Sequence, residues 1–507
     1  MYMAKASQMK EIDRVAIEEM GIPSTLLMTN AAERMAAAAL IFLKPGDKVA
    51  VFCGSGNNGG DGIAAAVALM KRNHQVDCFL TSSRAHMTPD TREMERRLAE
   101  IGGVLQPLDD ALTEAEAACE RAAVMIDAMF GIGLNAPLRD MAAKSAELMN
   151  RARGKVIAAD IPSGVHADTG TLLGGAVQAD VTVTFTLPKP GLYTGPGCDH
   201  CGEIRVADIG IPEAALAALD RNTRLCTQED VSLPARQRNT HKGHYGKLLL
   251  LGGAVGYTGA PTLAALGALR SGAGLVALGV PEPIYEITAV KNLEVMPHPL
   301  PADGEGRLSE GAMPWILEKL KDRDACLIGP GLGRSREICR VVEDTIRAAK
   351  IPVVVDADGI NALSENIHVL DEADAPLILT PHEGEFARLG GRVEELGRLE
   401  AAREFAVIHR CTLVLKGPGT ISAFPDGTAF VNTTGNPGMA KGGSGDVLSG
   451  ILTALLGQGL ALKKAVTSSV WIHGRAGDLL AERMGTYAMT PGDLLDALPE
   501  VFKFIVR

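Results

Sequence analysis

The sequence predicts an α/β protein built as two domains in tandem. Short β-branched runs alternate with alanine-rich helical stretches along the chain. The strand candidates are almost continuously apolar, the pattern of parallel strands covered on both faces. Glycine is abundant, 57 of 507 residues, while aromatic residues make up only 4%. That mix suits many tight strand-to-helix turns. A chain of this length also exceeds what one core holds, roughly 250–300 residues.

The elements follow in order. In "SQMKEIDRVAIEEMG", Met9, Ile12, Ala16 and Met20 recur at the spacing of one helical face. Ser7 is placed to cap this helix and Gly21 to end it. "KVAVFCG", "QVDCFLT", "AAVMIDA", "GKVIAAD" and "DVTVTFTL" read as strands. Between 212 and 240 the pattern loosens, with two prolines, mixed charge and no clear strand. The expected division is therefore a domain over 1–225, a linker over 226–240 and a domain over 241–507. A second series of strands then begins: "GKLLLLGG", "GLVALGVP", "DACLIGPG", "IPVVVDADG", "APLILTP" and "CTLVLKG". In "GTISAFPDGTAFVN", Asp426-Gly427 between two β-rich runs signals a hairpin.

Composition narrows the partners. A formal net charge of −11 argues against nucleic acid or an anionic membrane. No apolar run reaches the about 18 residues of a membrane span. The opening stretch has no apolar signal core, so the cytoplasm is expected. The nine cysteines mostly lie singly in apolar strands. The "CDHC" pair, Cys198 and Cys201, has no second pair to complete a tetrahedral metal site and reads as an ordinary loop.

The glycine-rich strand ends carry the chemistry. In "VAVFCGSGNNGGDG", Gly54 to Gly62 separate a strand from the helix "IAAAVALM". Main-chain amides at such a turn, with the helix dipole behind them, suit an anion. The loop has no Walker lysine, and Asn57, Asn58 and Asp61 crowd it beyond what a turn needs. Asp127 and Asp160 end two further strands, the latter followed by Ser163. Ligands of open α/β sheets sit beyond such ends. Asn58, Asp127, Asp160 and Ser163 are thus placed to converge, as an all-oxygen set suited to K⁺, Na⁺ or Mg²⁺. A lone strand-end aspartate is otherwise a helix cap.

In "GNPGMAKGGSGDVLSG", residues 435–450, Gly442 to Gly445 precede a helix and Asp446 stands in its first turn. The amides form an anion hole, and Asp446 can take a proton from a hydroxyl attacking a phosphoryl group. "LVLKGPGT" ends a strand with Lys416, Gly417, Gly419 and Thr420, a loop suited to phosphates. "LILTPHEGEF" brings Thr380, His382, Glu383 and Glu385 to another strand end.

With these residues in view, the first domain resembles the NAD(P)HX epimerase family. Its G-x-G-N-N-G-G-D-G, D-A-x-F-G-x-G, D-I-P-S-G and P-K-P-G motifs match 54–62, 127–133, 160–164 and 188–191. The second resembles the ADP-dependent NAD(P)HX dehydratases. Their H-K-G-x-x-G, G-P-G-L-G, T-P-H-x-G-E, K-G and G-N-P-G-M-A-x-G-G-x-G-D motifs match 241–246, 329–333, 380–385, 416–417 and 435–446. The order is that of the fused bacterial enzyme. Two departures are Lys441 in place of a common threonine, a conjectural extra phosphate contact, and "DADGIN" for D-A-D-A-L-N.

The resemblance implies a Rossmann-like three-layer domain followed by a ribokinase-like three-layer domain. It implies repair of hydrated NADH and NADPH: R and S hydrates are interconverted, and the S hydrate is dehydrated at the expense of ADP. Carried over by motif, Asn57, Asn58, Gly59, Gly60, Asp61, the loop Gly131, Ile132, Gly133, Leu134, Asn135, Ala136, Pro137, and Asp160 would hold the hydrate. Asn58, Asp127 and Ser163 would hold K⁺. In the second domain Ala260, Gly333, His382 and Asp446 would contact the hydrate. Lys416, Gly417, Pro418, Gly419, Thr420 and Gly445 would hold ADP, with Mg²⁺. Asp160 and Asp446 are the expected catalytic residues. The expected partners are NADHX, NADPHX and ADP, without nucleic acid or membrane, and the chain is expected to form a homo-oligomer. A vitamin or sugar kinase of the same fold, and a nucleotide-sensing regulator without turnover, are the competing readings.

Overall fold

The computed structural model describes residues 1–506. The chain divides into two compact units, Tyr2–Thr223 and the segment from Arg224 onward, Met1 grouping with the latter.

The first unit holds β1 (Lys48–Cys53), β2 (Gln75–Leu80), β3 (Leu105–Pro107), β4 (Ala122–Ala128), β5 (Lys155–Ala159), β6 (Val181–Phe185) and β7 (Glu203–Ala207). They lie in the order β3-β2-β1-β4-β5-β6-β7, with every neighbouring pair parallel. The five strands expected from apolar runs are β1, β2, β4, β5 and β6. The other two escape that signal because β3 is three residues long and β7, "EIRVA", is partly exposed and charged. Along β1, Val49, Val51 and Cys53 enter one core with the helices Ser24–Leu40 and Asn57–Met70. Ala50 and Phe52 enter the other with Leu112–Arg121 and Asp140–Arg151. Burying each such large apolar side chain contributes about 1.5–3 kcal/mol. This two-sided burial is the physical content of a Rossmann-like three-layer unit.

The first helix, Ala6–Arg14, differs from expectation at both ends. Lys5 is its N-cap, with its N–H donating to Gln8 Oε1 at 2.9 Å, so Ser7 lies inside the first turn and caps nothing. A π-helical turn, Val15–Glu19, follows. Its extra residue shifts the helical phase, so Met20 is exposed although Met9, Ile12 and Ala16 are buried. Gly21, at φ +73°, ends the segment.

The second sheet has ten strands: β8 (Thr223–Cys226), β9 (Lys247–Leu251), β10 (Leu275–Pro281), β11 (Met296–Leu300), β12 (Ala325–Ile328), β13 (Val353–Val355), β14 (Leu377–Leu379), β15 (Thr412–Leu415), β16 (Ile421–Ala423) and β17 (Ala429–Asn432). Their order is β11-β10-β9-β12-β13-β14-β15-β16-β17-β8. β9 to β15 pair in parallel, and β15, β16 and β17 antiparallel, with Gly427 at φ +81° in the hairpin turn. Leu248 and Leu250 face the core formed with the helices Gly259–Arg270, Ser444–Gly457 and Leu462–Ala488, while Leu249 and Leu251 are equally buried on the opposite face.

The segment 212–240 corrects the sequence reading twice. It contains a strand, β8, too short and mixed in composition to stand out. Residues 226–240 also do not run as a linker. Thr433 Oγ1 donates to the Cys226 carbonyl at 2.8 Å, the Ser232 N–H to Ser468 Oγ at 2.9 Å, and Arg236 Nη2 to the Gly272 carbonyl at 2.6 Å. These bonds tie the segment to the second unit without any apolar pattern to announce it.

Within each parallel sheet region the strand order reverses between β1 and β4 and between β9 and β12. Ligand sites of such sheets lie beyond the strand ends at these reversals.

Candidate active sites

At the first reversal, the helix Asn57–Met70 begins inside the glycine motif, directly after β1. A Cβ on Gly54 would lie 2.0 Å from the Met129 carbonyl oxygen, and one on Gly59 1.8 Å from the Gly54 oxygen. Gly59 is buried and serves this close packing, and a Cβ on buried Gly60 would meet the Met28 side chain. Asn57 Oδ1 accepts from Thr88 Oγ1 at 2.8 Å.

A cavity of about 520 Å³ opens above them. Asn57, Asn58, Asp61, Gly131, Ile132, Gly133, Leu134 and Asp160 line it, together with Asp13 and Lys189. Asn135, Ala136 and Pro137 are exposed and lie outside the lining. A side chain at Gly131 would come within 3.0 Å of Asn58 Oδ1 and 3.4 Å of Asp160 Oδ2, so these two residues converge on that loop.

Asp160 adopts φ +64°, a strained conformation for a residue with a side chain. Its Oδ1 accepts from Lys189 Nζ at 2.5 Å, Thr184 Oγ1 at 3.2 Å and the Phe185 N–H at 3.3 Å. Lys189 is 1% exposed and also donates to Thr184 Oγ1 and the Phe185 carbonyl. Burial, with the negative charges of Asp160 and Asp13 nearby, drives the Asp61 carboxyl well above its ordinary range.

Asp127 and Ser163 do not line the cavity and are buried, 0% and 1% exposed. The Ser163 hydroxyl donates to Asp127 Oδ1 at 2.6 Å and its N–H to Oδ2 at 2.7 Å. Burial pushes Asp127 up to about 6 against these hydrogen bonds.

At the second reversal, residues from five loops meet. Asp446 is the third residue of the helix Ser444–Gly457, whose N-cap is Gly443 at φ +101°. Asp446 is therefore not the cap, and its carboxylate accepts no hydrogen bond among the described residues. Burial first, then the negative charge of Asp356, raises it to about 7, against the pull of Lys416. Lys416 Nζ donates to Asp356 Oδ1 at 2.8 Å and lies 4.0 Å from Glu385 Oε2. Burial opposes its charge, but Asp356, Glu385 and Asp446 together hold the ammonium above its usual value. A Cβ on Gly445 would sit 3.2 Å from Lys416 Nζ, so bare backbone faces the cation there.

Around this cluster, the Gly333 N–H donates to Asp358 Oδ2 at 2.9 Å, and Ala260 contacts the adjacent Gly331 turn. His382 pairs with Lys416 through a backbone bridge. Its ring Nδ1 accepts from the Glu385 N–H at 3.3 Å, so it caps the helix Glu383–Arg388 while staying 56% exposed. In the loop Lys416–Thr420, Thr420 Oγ1 donates to the Gly417 carbonyl at 2.9 Å, and Gly417 and Pro418 are exposed. Lys441 is not turned to a phosphate position. Its ammonium donates to the Tyr487 and Met489 carbonyls at 2.7 and 2.5 Å, because it spans from the glycine segment to a neighbouring helix end.

Sequence reasoning missed Lys189, Asp356, Arg398 and His473. The first two stood within motifs already noted, P-K-P-G and D-A-D-G-I-N. Arg398 directly follows a kink at Gly397, φ +76°, and is 6% exposed beneath the Lys416 loop. Buried His473, held down to about 4 by burial, places Nε2 3.3 Å from Ser444 Oγ.

Two family models match the chain. NAD(P)H-hydrate dehydratase matches residues 248–500, and YjeF-related protein N-terminus matches residues 24–191. The bifunctional NAD(P)H-hydrate repair enzyme Nnr of Moorella thermoacetica is 41% identical, the alignment covering 99% of this chain and 97% of that protein. This chain belongs to the bifunctional NAD(P)H-hydrate repair family. Two solved structures resemble the second unit. A ribokinase-like superfamily protein from Enterococcus faecalis is 25% identical with a TM-score of 0.50, covering 56% of this chain and 97% of its own. An ADP/ATP-dependent NAD(P)H-hydrate dehydratase from Bacillus subtilis, co-crystallised with ATP and Mg²⁺, is 35% identical with a TM-score of 0.49, covering 56% and 99%. The family assigns the lyase and isomerase pairing, and the ribokinase-like fold of the second unit accords with the sequence expectation.

Proposed function

We propose that the first unit epimerises hydrated NADH and NADPH in the 520 Å³ cavity and that the second dehydrates the S hydrate at Asp446, using ADP. The observation that carries the reading is Asp446. A partly buried carboxylate held near neutrality, beside a buried ammonium and a glycine-lined helix start, is a base aimed at phosphoryl transfer.

Hydration of an enamine puts the hydroxyl on the carbon next to nitrogen. Hydroxide is a poor leaving group and a phosphate ester a good one. Asp446 takes the proton from that hydroxyl as its oxygen attacks the terminal phosphoryl of ADP. The ring nitrogen lone pair then expels phosphate, the neighbouring carbon loses a proton, and AMP, phosphate and NAD(P)H are the products. Lys416 and the loop Gly417–Thr420, with the Gly445 amide, hold the diphosphate. Ala260, Gly333 and His382 line the hydrate's approach. Mg²⁺ bound with the diphosphate would neutralise part of its charge.

Asn58, Asp127 and Ser163 hold K⁺ in this reading. The donor set fits: all offer oxygen, and fully buried Asp127 is held by neutral donors without a cationic side chain among its partners. Bound there, the ion would supply the missing counter-charge. Asp160, paired with the buried Lys189 ammonium, is the base of the epimerisation. The acidic chain works in the cytoplasm, and no helix of the described residues is long and apolar enough to cross a membrane. The homo-oligomer belongs to the same reading; exposed Ile287, Val290, Leu293 and Met296, near edge strand β11, are the surface it would use.

The test is recovery of NADH absorbance from the S hydrate with ADP and ATP in parallel. Return of NADH with AMP and phosphate is expected. A released, stable phosphorylated substrate would favour the kinase reading instead. Asp446→Asn is expected to cost about 10²–10⁴-fold in rate.

A further inference from the structure

The first unit's cavity holds an acid that the family match does not reach. Asp13 lies on the helix Ala6–Arg14, outside the matched residues 24–191. With Met9, Lys10 and Ile17 it forms the helical wall of the cavity, facing the space that Asn58, Asp160 and Lys189 also line. Its carboxylate makes no hydrogen bond among the described residues, in contrast to Asp160, which accepts three. The helix is also not ordinary at this point. The π turn Val15–Glu19 begins two residues after Asp13, and such turns concentrate at functional sites.

Inverting a hydroxyl-bearing carbon next to nitrogen needs two proton-handling groups. One must protonate the departing hydroxyl, and another must take a proton from the water that returns on the opposite face. Asp160, whose Oδ1 accepts from the buried Lys189 ammonium, takes the second task in this direction. We propose that Asp13 is the general acid of the epimerisation, a role that rests on the epimerase reading of this unit. Asp13 gives its proton to the hydroxyl, and the C–O bond breaks with its electron pair leaving as water. The ring nitrogen lone pair stabilises the resulting cation. Water adds to the other face and passes a proton to Asp160. The reverse reaction exchanges the two roles and returns both protons.

The groups facing Asp13 agree with this role. Lys10 lies on its own helix, Asp61 comes from the helix Asn57–Met70 and Asp90 from Pro89–Glu100. Asp160 and Lys189 lie beyond β5 and β6. Burial raises Asp13 to about 6; Lys189 pulls it down and Asp160 pushes it up. That is close to the working pH, as a group cycling between acid and base requires. Asp61 is also driven well above its ordinary range, by burial first and then by Asp160 and Asp13.

The full chain is tested with R hydrate and ADP, reading NADH return above the uncatalysed background; the S hydrate serves as internal control. Asp13→Asn is expected to lower kcat from the R hydrate by about 10²–10⁴-fold with KM within about threefold. Return from the S hydrate should be unchanged. Asp13→Glu should recover at least about a tenth of the rate, since it restores a carboxylic acid on a longer arm. Glu11→Gln, on the exposed face and paired with Arg14, should behave as wild type. Asp13→Asn turning over the R hydrate at the wild-type rate overturns the proposal. So does equal loss in Asp13→Asn and Asp13→Glu with raised KM, which marks a structural role. If the wild-type chain leaves the R hydrate at background, the epimerase reading itself fails and Asp13 falls with it.

Discussion

Asp446, the proposed base, shows what a buried carboxylate costs its fold. Its carboxyl titrates near 7 against an ordinary 3.8, so the folded state binds its proton more tightly than the unfolded state does. Any stability linked to this group is complete below about pH 4 and declines as pH rises through 7. Asp446→Asn removes the buried charge. Its melting temperature should exceed that of wild type at about pH 8, and the gap should close by about pH 4. The same titration has the opposite sign for chemistry. Dehydratase kcat/KM should rise with pH through about 7 as the base loses its proton, then level off. A flat profile across neutrality would remove Asp446 from the proton transfer. At this scale the sequence was partly legible. An aspartate after bare glycines stood out because the type and spacing carry the chemistry. Its partner Asp356 did not stand out, because pairing with Lys416 across sixty residues of chain leaves no local pattern.

The elements explain why the glycine motifs were readable and what lay hidden beneath them. Strand ends converge because parallel order fixes them, so strand–glycine–helix boundaries marked both candidate sites. The supports under those loops have no such signature. Arg398 follows the Gly397 kink, donates to the Leu415 and Lys416 carbonyls at 3.4 and 3.3 Å, and pairs with Glu383. A Cβ on Gly417, at φ +144°, would lie 2.7 Å from its guanidinium. The loop thus rests on a buried cation. Arg398→Met leaves two carbonyls without these donors, about 1–3 kcal/mol of lost support for the loop. KM for ADP should rise about tenfold or more, with kcat and the hydrate KM little changed, and Arg398→Lys should lie between. A shift confined to the hydrate KM would mean that Lys416–Thr420 does not hold the nucleotide. Strands β3, β8 and β11 went unseen for a related reason. They are short, or lie at a sheet edge, or carry prolines, as "MPHPL" does, so neighbours rather than their own pattern hold them extended.

For the whole molecule, the division into two units has a kinetic consequence. Every side chain gathered at the first site belongs to Tyr2–Thr223, and every one at the second lies beyond Arg224. Each proposed site thus draws its side chains from one unit, and a hydrate that diffuses freely from one to the other is the expected route. Full-length Asp160→Ala should return NADH from the S hydrate but leave the R hydrate at background. Full-length Asp446→Asn should return NADH from neither while still interconverting the two. Mixing the variants in equal amounts should restore return from the R hydrate, at a rate that scales with the concentration of both. Equal repair of both hydrates by Asp160→Ala alone would remove Asp160 from the epimerisation. A mixture that stays inactive toward the R hydrate, although each variant keeps its own remaining step, would mean that the hydrate is handed over within a single chain. Completeness of each unit would then be insufficient, and the tandem arrangement itself would be part of the mechanism.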